Sequence, residues 1–128
     1  MTRFLLDSTF IIDVLNSRRN RETVMRELIA DQHELACCPI NVTEIYTGLR
    51  ETERAKTEAL LRSLELIPIS FEAGRLAGEL LKTGKQNGKT YSVPDMIIAA
   101  VCMTEALTLI TDNKKDFEMA GLKLHPLK

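Results

Sequence analysis

Short apolar runs alternate with longer amphipathic stretches along most of this chain. Brief, mostly apolar runs bounded by polar or turn-forming residues are typical of buried strands, and they predict strands at 3–6, 35–38, 66–69, 108–110 and 122–124. Apolar residues at helical spacing predict helices at about 9–16, 21–31, 53–64, 72–83 and 94–105, with another opened by Asn41. Residues 84–89 are polar and are predicted to form a loop. The helix at 94–105 is apolar almost all round, so we expect it to be buried.

The alternation of strands and helices determines the expected fold class. A strand followed by a helix and another strand favours parallel pairing through a right-handed crossover. We therefore predict an α/β fold in a single domain that spans residues 1–128. Ligands of such sheets bind beyond the carboxyl ends of the strands, so residues that follow the predicted strands are the first candidates for function.

Composition limits the classes of function. The chain has 128 residues, a formal net charge of −1 and no apolar run close to the roughly 20 residues that span a bilayer. Its first residues do not form a signal-peptide pattern, so we expect a cytoplasmic protein without membrane association. Cys37, Cys38 and Cys102 lie in apolar stretches without zinc-binding spacing and are predicted to pack as small hydrophobic residues.

The net charge gives no evidence for nucleic-acid binding, which depends on lysine and arginine. The basic residues nevertheless occur in three groups: Arg18, Arg19 and Arg21, then Lys82, Lys85 and Lys89, then Lys114 and Lys115. Taken singly, each group is typical of a solvated helix end or loop.

Acidic residues lie where predicted strands meet loops or helix starts: Asp7, Glu44, Asp95 and Asp116. A parallel sheet brings the carboxyl ends of its strands together and could gather all four into one pocket. Nearby residues that could support such a pocket are Thr9, Thr111, Asn113 and Asp112. Crowded carboxylates repel one another and need a cation. Mg²⁺ and Mn²⁺ prefer oxygen ligands, so the pattern indicates a metal-dependent enzyme that acts on a phosphate ester.

Each acid also has a structural alternative at a helix start. Asp7 could cap the first predicted helix, and Asp116 could cap a short helix that follows it directly. Glu44 lies at the third position of a possible capping box, and Asp95 lies in a helix first turn, where the macrodipole favours a carboxylate. Capping does not require the four acids to converge, whereas metal binding does.

Other phosphate chemistries lack their sequence signals. There is no Walker glycine-rich loop and no GxGxxG after the first strand. A receiver domain requires a phosphorylatable Asp after the third strand, where this chain has Ile69, Ser70 and Phe71. A haloacid-dehalogenase-type phosphatase requires Asp-x-Asp after the first strand, where the third position is Thr9.

Four motifs resemble those of the PIN-domain nucleases, in the order found in that family. Residues 5–9 (LLDST) resemble the opening strand motif, and residues 41–48 (NVTEIYTG) resemble the second acidic motif. Residues 94–100 (PDMIIAA) resemble the third motif, and residues 109–117 (LITDNKKDF) resemble the closing Thr-x-Asn-x-x-Asp-Phe motif. The opening motif differs mildly from the common Thr-Asn or Thr-Ser, although a hydroxyl remains. The compact length resembles the VapC-type toxins of type II toxin–antitoxin pairs.

The resemblance implies an α/β/α sandwich with a central parallel sheet of about five strands. It also implies that Asp7, Glu44, Asp95 and Asp116 form the acidic quartet of a Mg²⁺- or Mn²⁺-dependent endoribonuclease, with Asp7 and Asp95 as the principal metal ligands. The implied substrate is a structured RNA such as tRNA or rRNA, cleaved to leave a 3′-hydroxyl and a 5′-phosphate. Because an acidic pocket repels RNA, we expect the basic groups to form its rim.

Partners are implied by the same resemblance. They are a cognate VapB-like antitoxin that lies across the acidic groove, and a second copy of the chain, bound through the apolar surface of the early helices. The alternative within the family is a non-catalytic PIN-type module that binds RNA or acts as a scaffold. The presence of all four acids favours the enzyme, and metal-dependent cleavage distinguishes the two.

Overall fold

The structure, a computed structural model, describes residues 1–119 and 121–128. Its strands are β1 (Arg3–Leu6), β2 (Glu34–Cys37), β3 (Glu65–Leu66) and β4 (Thr108–Ile110). Its helices are α1 (Ser8–Leu15), α2 (Arg21–Ala30), α3 (Pro39–Thr47), α4 (Arg54–Ser63), α5 (Phe71–Gln86) and α6 (Val93–Thr104), with short 3₁₀ helices at Glu51–Glu53 and Lys114–Phe117. All strand pairs are parallel, in the order β3-β2-β1-β4.

Two hydrophobic cores lie on opposite faces of the sheet, because successive side chains of a strand point in opposite directions. Leu5 and Leu109 pack with α5 and α6 on one face. Leu6 and Ile110 pack with α1, α2 and α4 on the other face. The α/β fold, arranged as an α/β/α sandwich, is thereby confirmed. The apolar helix α6 is buried as predicted, and the three cysteines are unbonded and buried.

The predicted fifth strand makes a smaller contribution than expected. Within the described residues it forms a single parallel bridge, between Leu109 and Leu124, so the sheet proper has four strands. Gly121, with φ of +88°, precedes this segment, and Pro126, which has no N–H for a ladder, follows it. The segment still docks on β4, because the backbone N–H of Leu109 donates to the carbonyl of Lys123.

Two other element boundaries differ from the sequence prediction. β3 ends at Leu66, since Pro68 cannot donate to a strand ladder, and the chain then crosses to the α5–α6 face, where Ile67 and Ile69 pack. α5 continues to Gln86, so the first part of the predicted loop 84–89 is helical. None of the helices in the described part of the chain is long and apolar enough to cross a bilayer.

The sheet order determines where a site can form. β1 lies between β2 and β4, and the chain leaves it on one side to reach β2 and later returns on the other side as β4. This arrangement makes a topological switch point at the carboxyl ends of β1 and β4, where α/β folds bind ligands. Asp7 directly follows β1 and Thr111 directly follows β4 at this edge.

Candidate functional site

Asp7 is fixed at the centre of the sheet edge. Its backbone N–H donates to the carbonyl of Ile110 at 2.9 Å, which extends the pairing of β1 with β4. Its carboxylate is buried and accepts two hydrogen bonds, from the Ser8 N–H to Oδ1 at 2.9 Å and from the Thr111 hydroxyl to Oδ2 at 2.7 Å. Asp7 is also the N-cap residue of α1, as the capping alternative predicted. Each carboxylate oxygen keeps a further lone pair for another ligand.

Glu44 reaches the same edge from the middle of α3, so its capping-box alternative is wrong. That role belongs to Asn41, whose Oδ1 accepts from the Cys38 N–H at 2.8 Å. Glu44 Oε1 instead accepts from the Ser8 hydroxyl at 2.7 Å, and Ser8 Oγ accepts from Asn41 Nδ2 at 3.1 Å. Ser8 and Asn41 were not predicted as site residues, although Ser8 follows Asp7 directly and Asn41 begins the second acidic motif.

Asp95 and Asp116 come from the segments on either side of β4. Asp95 lies in the first turn of α6, and its N–H donates to the N-cap hydroxyl of Ser92 at 3.2 Å. Asp116 lies inside the 3₁₀ helix Lys114–Phe117, so it does not cap a helix that begins at Phe117. The buried ring of Phe117 packs in the α5–α6 core. This contact anchors the turn that carries Asp116.

The four acids lie close enough for their charges to act on one another. Burial raises the pKa of Asp7, hydrogen bonds from Thr111 and Ser8 oppose this, and the charges of Asp95 and Glu44 raise the pKa further. Burial likewise raises the pKa of Asp95, opposed by Ser92, and the charges of Asp116 and Glu44 add to the increase. Among the described residues, no lysine or arginine contributes to either shift. The cluster therefore carries repulsion that its own neighbours do not neutralise.

The predicted supporting residues differ in whether they contact the acidic site. Thr111 contacts Asp7 directly, and Asn113 supports Thr111 through its backbone N–H, which donates to the Thr111 hydroxyl at 3.0 Å. Thr9 is exposed, and its hydroxyl forms no hydrogen bond within the part of the chain that the structure describes. Asp112 points its carboxylate at Arg21 and, at 3.3 Å, at Arg19. It does not contribute to the pKa shifts of Asp7 and Asp95.

The basic groups are not equally available to a ligand. Arg21 is only 2% exposed and binds inside the protein, so the expectation that it forms part of a rim is wrong. Lys114 is half-buried and donates to the carbonyl of Leu127 at 2.6 Å. The exposed basic residues of the three groups are Arg18, Arg19, Lys82, Lys85, Lys89 and Lys115. Lys89 lies in the short connection from α5 to α6, which leads directly to Asp95.

Oxygen donors that lack a cationic neighbour suit a hard divalent cation. Within the described residues, no three acidic, histidine or cysteine side chains are grouped closely enough to hold an ion as they stand. An ion shared by three or more of the acids therefore requires some of these side chains to rotate. Glu44 is exposed, and Asp95 and Asp116 are only half-buried, so they have room to do so, whereas Asp7 is fixed. The donor set fits Mg²⁺ or Mn²⁺ with this adjustment.

The chain is similar to known proteins over most of its length. A sequence model of the PIN domain matches residues 4–122. Ribonuclease VapC2 of Rickettsia felis is 27% identical over 120 residues, which cover 90% of each chain. Ribonuclease VapC3 of Methanocaldococcus jannaschii is 30% identical over 98 residues, which cover 76% of this chain and 95% of that protein.

Solved structures share the fold. VapBC2 from Rickettsia felis, solved with a DNA fragment from its promoter, aligns with a TM-score of 0.85 and 24% identity over 97% of this chain and 98% of that chain. A toxin–antitoxin complex from Klebsiella pneumoniae aligns with a TM-score of 0.74 and 28% identity over 92% and 93% of the two chains. Because the family match covers nearly the whole sequence, this chain belongs to the PIN domain family, and the relatives that it resembles are VapC ribonucleases.

Proposed function

We propose that this protein is a Mg²⁺- or Mn²⁺-dependent endoribonuclease and the toxin of a type II toxin–antitoxin pair. The observation that carries the proposal is that Asp7, Glu44, Asp95 and Asp116 act on one another's charge at the carboxyl edge of the sheet, and that no lysine or arginine of the described residues contributes to the pKa shifts of Asp7 and Asp95. Helix capping does not account for it, since Glu44 and Asp116 cap no helix. The similarity to VapC ribonucleases over most of the chain supports the same reaction.

In this proposal Asp7 and Asp95 are the principal metal ligands, as the resemblance to the PIN-domain nucleases implies, and burial raises the pKa of both carboxyls. Glu44 and Asp116 orient the attacking water or complete a second metal site. When bound, Mg²⁺ or Mn²⁺ neutralises charge on the phosphodiester and lowers the pKa of water. Thr111 and the Ser8 N–H hold Asp7 still, so that one ligand is in place before substrate arrives.

The proposed substrate is a structured RNA such as tRNA or rRNA. Phosphate contacts from exposed basic side chains offset the repulsion between the acidic edge and the RNA backbone. The side chains available for this are Arg18, Arg19, Lys82, Lys85, Lys89 and Lys115. Hydrolysis is expected to leave a 3′-hydroxyl and a 5′-phosphate.

The proposed partners are a VapB-like antitoxin and a second copy of this chain. Structures similar to this one were solved as VapBC complexes, which supports an antitoxin that covers the acidic groove. The early helices expose some apolar surface, including Ile29 on α2, whose side chain is 54% exposed. This surface supports the proposed homodimer.

The test is incubation of the purified protein, free of antitoxin, with total RNA and with a tRNA pool. Reactions contain Mg²⁺, Mn²⁺ or EDTA, and they compare the parent with Asp95→Asn and with Asp31→Asn, the same chemical change at an exposed residue outside the site. We expect discrete fragments that require metal, disappear in Asp95→Asn and persist in Asp31→Asn. Metal and RNA binding without cleavage under any condition would refute the enzyme and favour the non-catalytic PIN-type module.

A further inference from the structure

A second charged cluster packs beside the acidic edge. Arg21, on the first turn of α2, donates through Nη2 to Asp112 Oδ1 and through Nη1 to the backbone carbonyl of Lys128 at 2.7 Å. Arg19 lies 3.3 Å from Asp112 and 3.8 Å from Asp13. Arg21, Asp112 and Asp13 all have side chains that are more than nine-tenths buried. Arg21, Asp112 and Asp13 have no part in the proposed reaction.

The cluster is connected to the acidic site through one loop. Asp112 directly follows Thr111, whose hydroxyl donates to Asp7 at 2.7 Å. The next residue, Asn113, donates its N–H back to Thr111 Oγ1, and its carbonyl accepts the N–H of Asp116 at 3.0 Å. Residues 111–116, which we call the β4 loop, therefore carry one contact to Asp7 and one of the four acids. Arg21 contacts this loop through Asp112.

Stability alone does not explain the cluster. Asp13 Oδ2, Arg21 Nε and Asp112 Oδ2 are buried without a hydrogen-bond partner among the described residues. A buried ion pair with unmet hydrogen bonds is commonly no more stabilising than apolar side chains of similar volume. Incompletely satisfied buried charges call for another explanation, and their attachment to the β4 loop provides one.

We propose that Arg21 is a positioning residue for the acidic site. By holding Asp112, Arg21 fixes the β4 loop so that Thr111 stays on Asp7 and Asp116 faces Asp95. Asp112 therefore ties the β4 loop to Arg21, whereas Asp116 is the acid that the loop supplies to the site. The inference rests on the proposed function for what the site does, but the order of the loop can be measured without metal or RNA.

The principal variant is Arg21→Met combined with Asp112→Leu. It replaces the ion pair with apolar side chains, and it avoids leaving either charge buried alone, as a single substitution would. The matched control is Arg26→Met combined with Glu22→Leu, which removes another arginine–carboxylate pair, one that lies exposed on α2. Arg21→Lys is a milder variant, because one ammonium cannot hold Asp112 and the Lys128 carbonyl together as the forked guanidinium does.

The first readout is Mn²⁺ affinity by calorimetry, with urea unfolding to verify the fold. Residues that orient metal ligands typically change affinity by about 10–100-fold, so we expect the Kd of the Arg21/Asp112 variant to rise roughly 10-fold. With RNA, kcat should fall by roughly 10-fold or more because small displacements from the reactive geometry are costly. Of the exposed basic side chains in the three groups, Arg19 loses its Asp112 partner but keeps Asp13, so KM for RNA should change less than kcat. A merely structural role would leave Kd and kcat equal to those of the control.

The second readout is amide hydrogen exchange at Asn113 and Asp116 in EDTA. We expect protection of both amides to fall in the Arg21/Asp112 variant while α2 and β4 keep theirs. If that variant does not fold, Arg21→Lys provides the test. A Mn²⁺ Kd and amide exchange rates equal to those of the control would then overturn the inference. If the parent neither binds Mn²⁺ nor cleaves RNA, the proposed function fails, and amide exchange alone then supports or overturns the positioning role.

Discussion

Replacing Ser8 with alanine tests whether neutral hydrogen bonds hold the acidic site together. The Ser8 hydroxyl donates to Glu44 Oε1 at 2.7 Å and accepts from Asn41 Nδ2 at 3.1 Å. Ser8 is 7% exposed and Asn41 is fully buried, so water cannot readily replace the lost partner. The substitution removes one bond to a charged group and leaves a buried amide without its acceptor.

The magnitude follows from these contacts. A hydrogen bond to a charged group contributes roughly 1.5–3 kcal/mol, and the lower end applies because Glu44 is exposed. A buried donor left without a partner costs roughly 1–3 kcal/mol. The better helix propensity of alanine at the start of α1 offsets at most about 0.5 kcal/mol. We therefore expect Ser8→Ala to lower the free energy of unfolding by about 2–4 kcal/mol.

The assay is urea unfolding in EDTA, with Thr9→Ala as the matched control. Thr9 is the neighbouring hydroxyl, but it is exposed and forms no hydrogen bond in the described residues, so its removal should change stability by less than about 0.5 kcal/mol. Combining Ser8→Ala with Glu44→Gln should cost less than the two single changes together, because they share one bond. Equal stability of Ser8→Ala and Thr9→Ala would refute the reasoning.

Three further predictions concern charge and packing. Burial raises the pKa of Asp7 above its unfolded value, so this group's contribution to stability is present at acidic pH and is lost as pH rises through the raised pKa. Asp7→Asn should therefore raise Tm at neutral pH in EDTA and abolish metal-dependent cleavage, and a lower Tm would contradict this. Gly84→Ala places a Cβ 2.7 Å from the ring of Tyr91 and should cost about 1–3 kcal/mol in urea unfolding, whereas Gly78→Ala, with open space around it, should cost nothing. RNA cleavage should fall steeply with added salt and should be weaker when glutamine replaces the exposed lysines Lys82, Lys85 and Lys89, and a flat salt response would exclude the basic rim.

Local sequence patterns were sufficient for most of the fold. β1 and β4 have their predicted bounds, and α6 begins within one residue of Pro94. The two boundary errors have different causes. The predicted strand 66–69 runs through Pro68, whose missing N–H is a local signal against a strand ladder. The last turn of α5 lies in a polar stretch without apolar periodicity, where the Lys89 N–H donates to the Gly84 carbonyl at 2.7 Å and the Tyr91 ring lies close to Gly84.

The sequence predicted some residues of the candidate site and missed others. The sequence motifs single out the four acids. Asp7, Asp95 and Asp116 lie at or near element boundaries, whereas Glu44 lies in the middle of α3 and is indicated by its motif alone. Ser8 and Asn41 were missed because their contact joins residues 33 positions apart, and no local pattern indicates it. The three basic groups looked equivalent in sequence, yet Arg21 is buried while Arg18 and Lys115 are exposed. Burial of a charged side chain depends on its partner, which sequence spacing does not reveal.

Asp112 and Asp116 show why the partner decides the role of a charge. Both acids lie in the β4 loop, four positions apart, and in the sequence only the closing motif, whose Asp is Asp116, separates them. Asp112 meets Arg21, which is 91 residues away in the chain, and this pairing satisfies much of its charge. Asp116 meets Asp95 instead, and its charge raises the pKa of that carboxyl. An arginine beside Asp116 would compete with a metal cation for the acids. The ion pairs of the fold lie beside the acidic edge instead, and neutral donors, the hydroxyls of Ser8 and Thr111, support the edge.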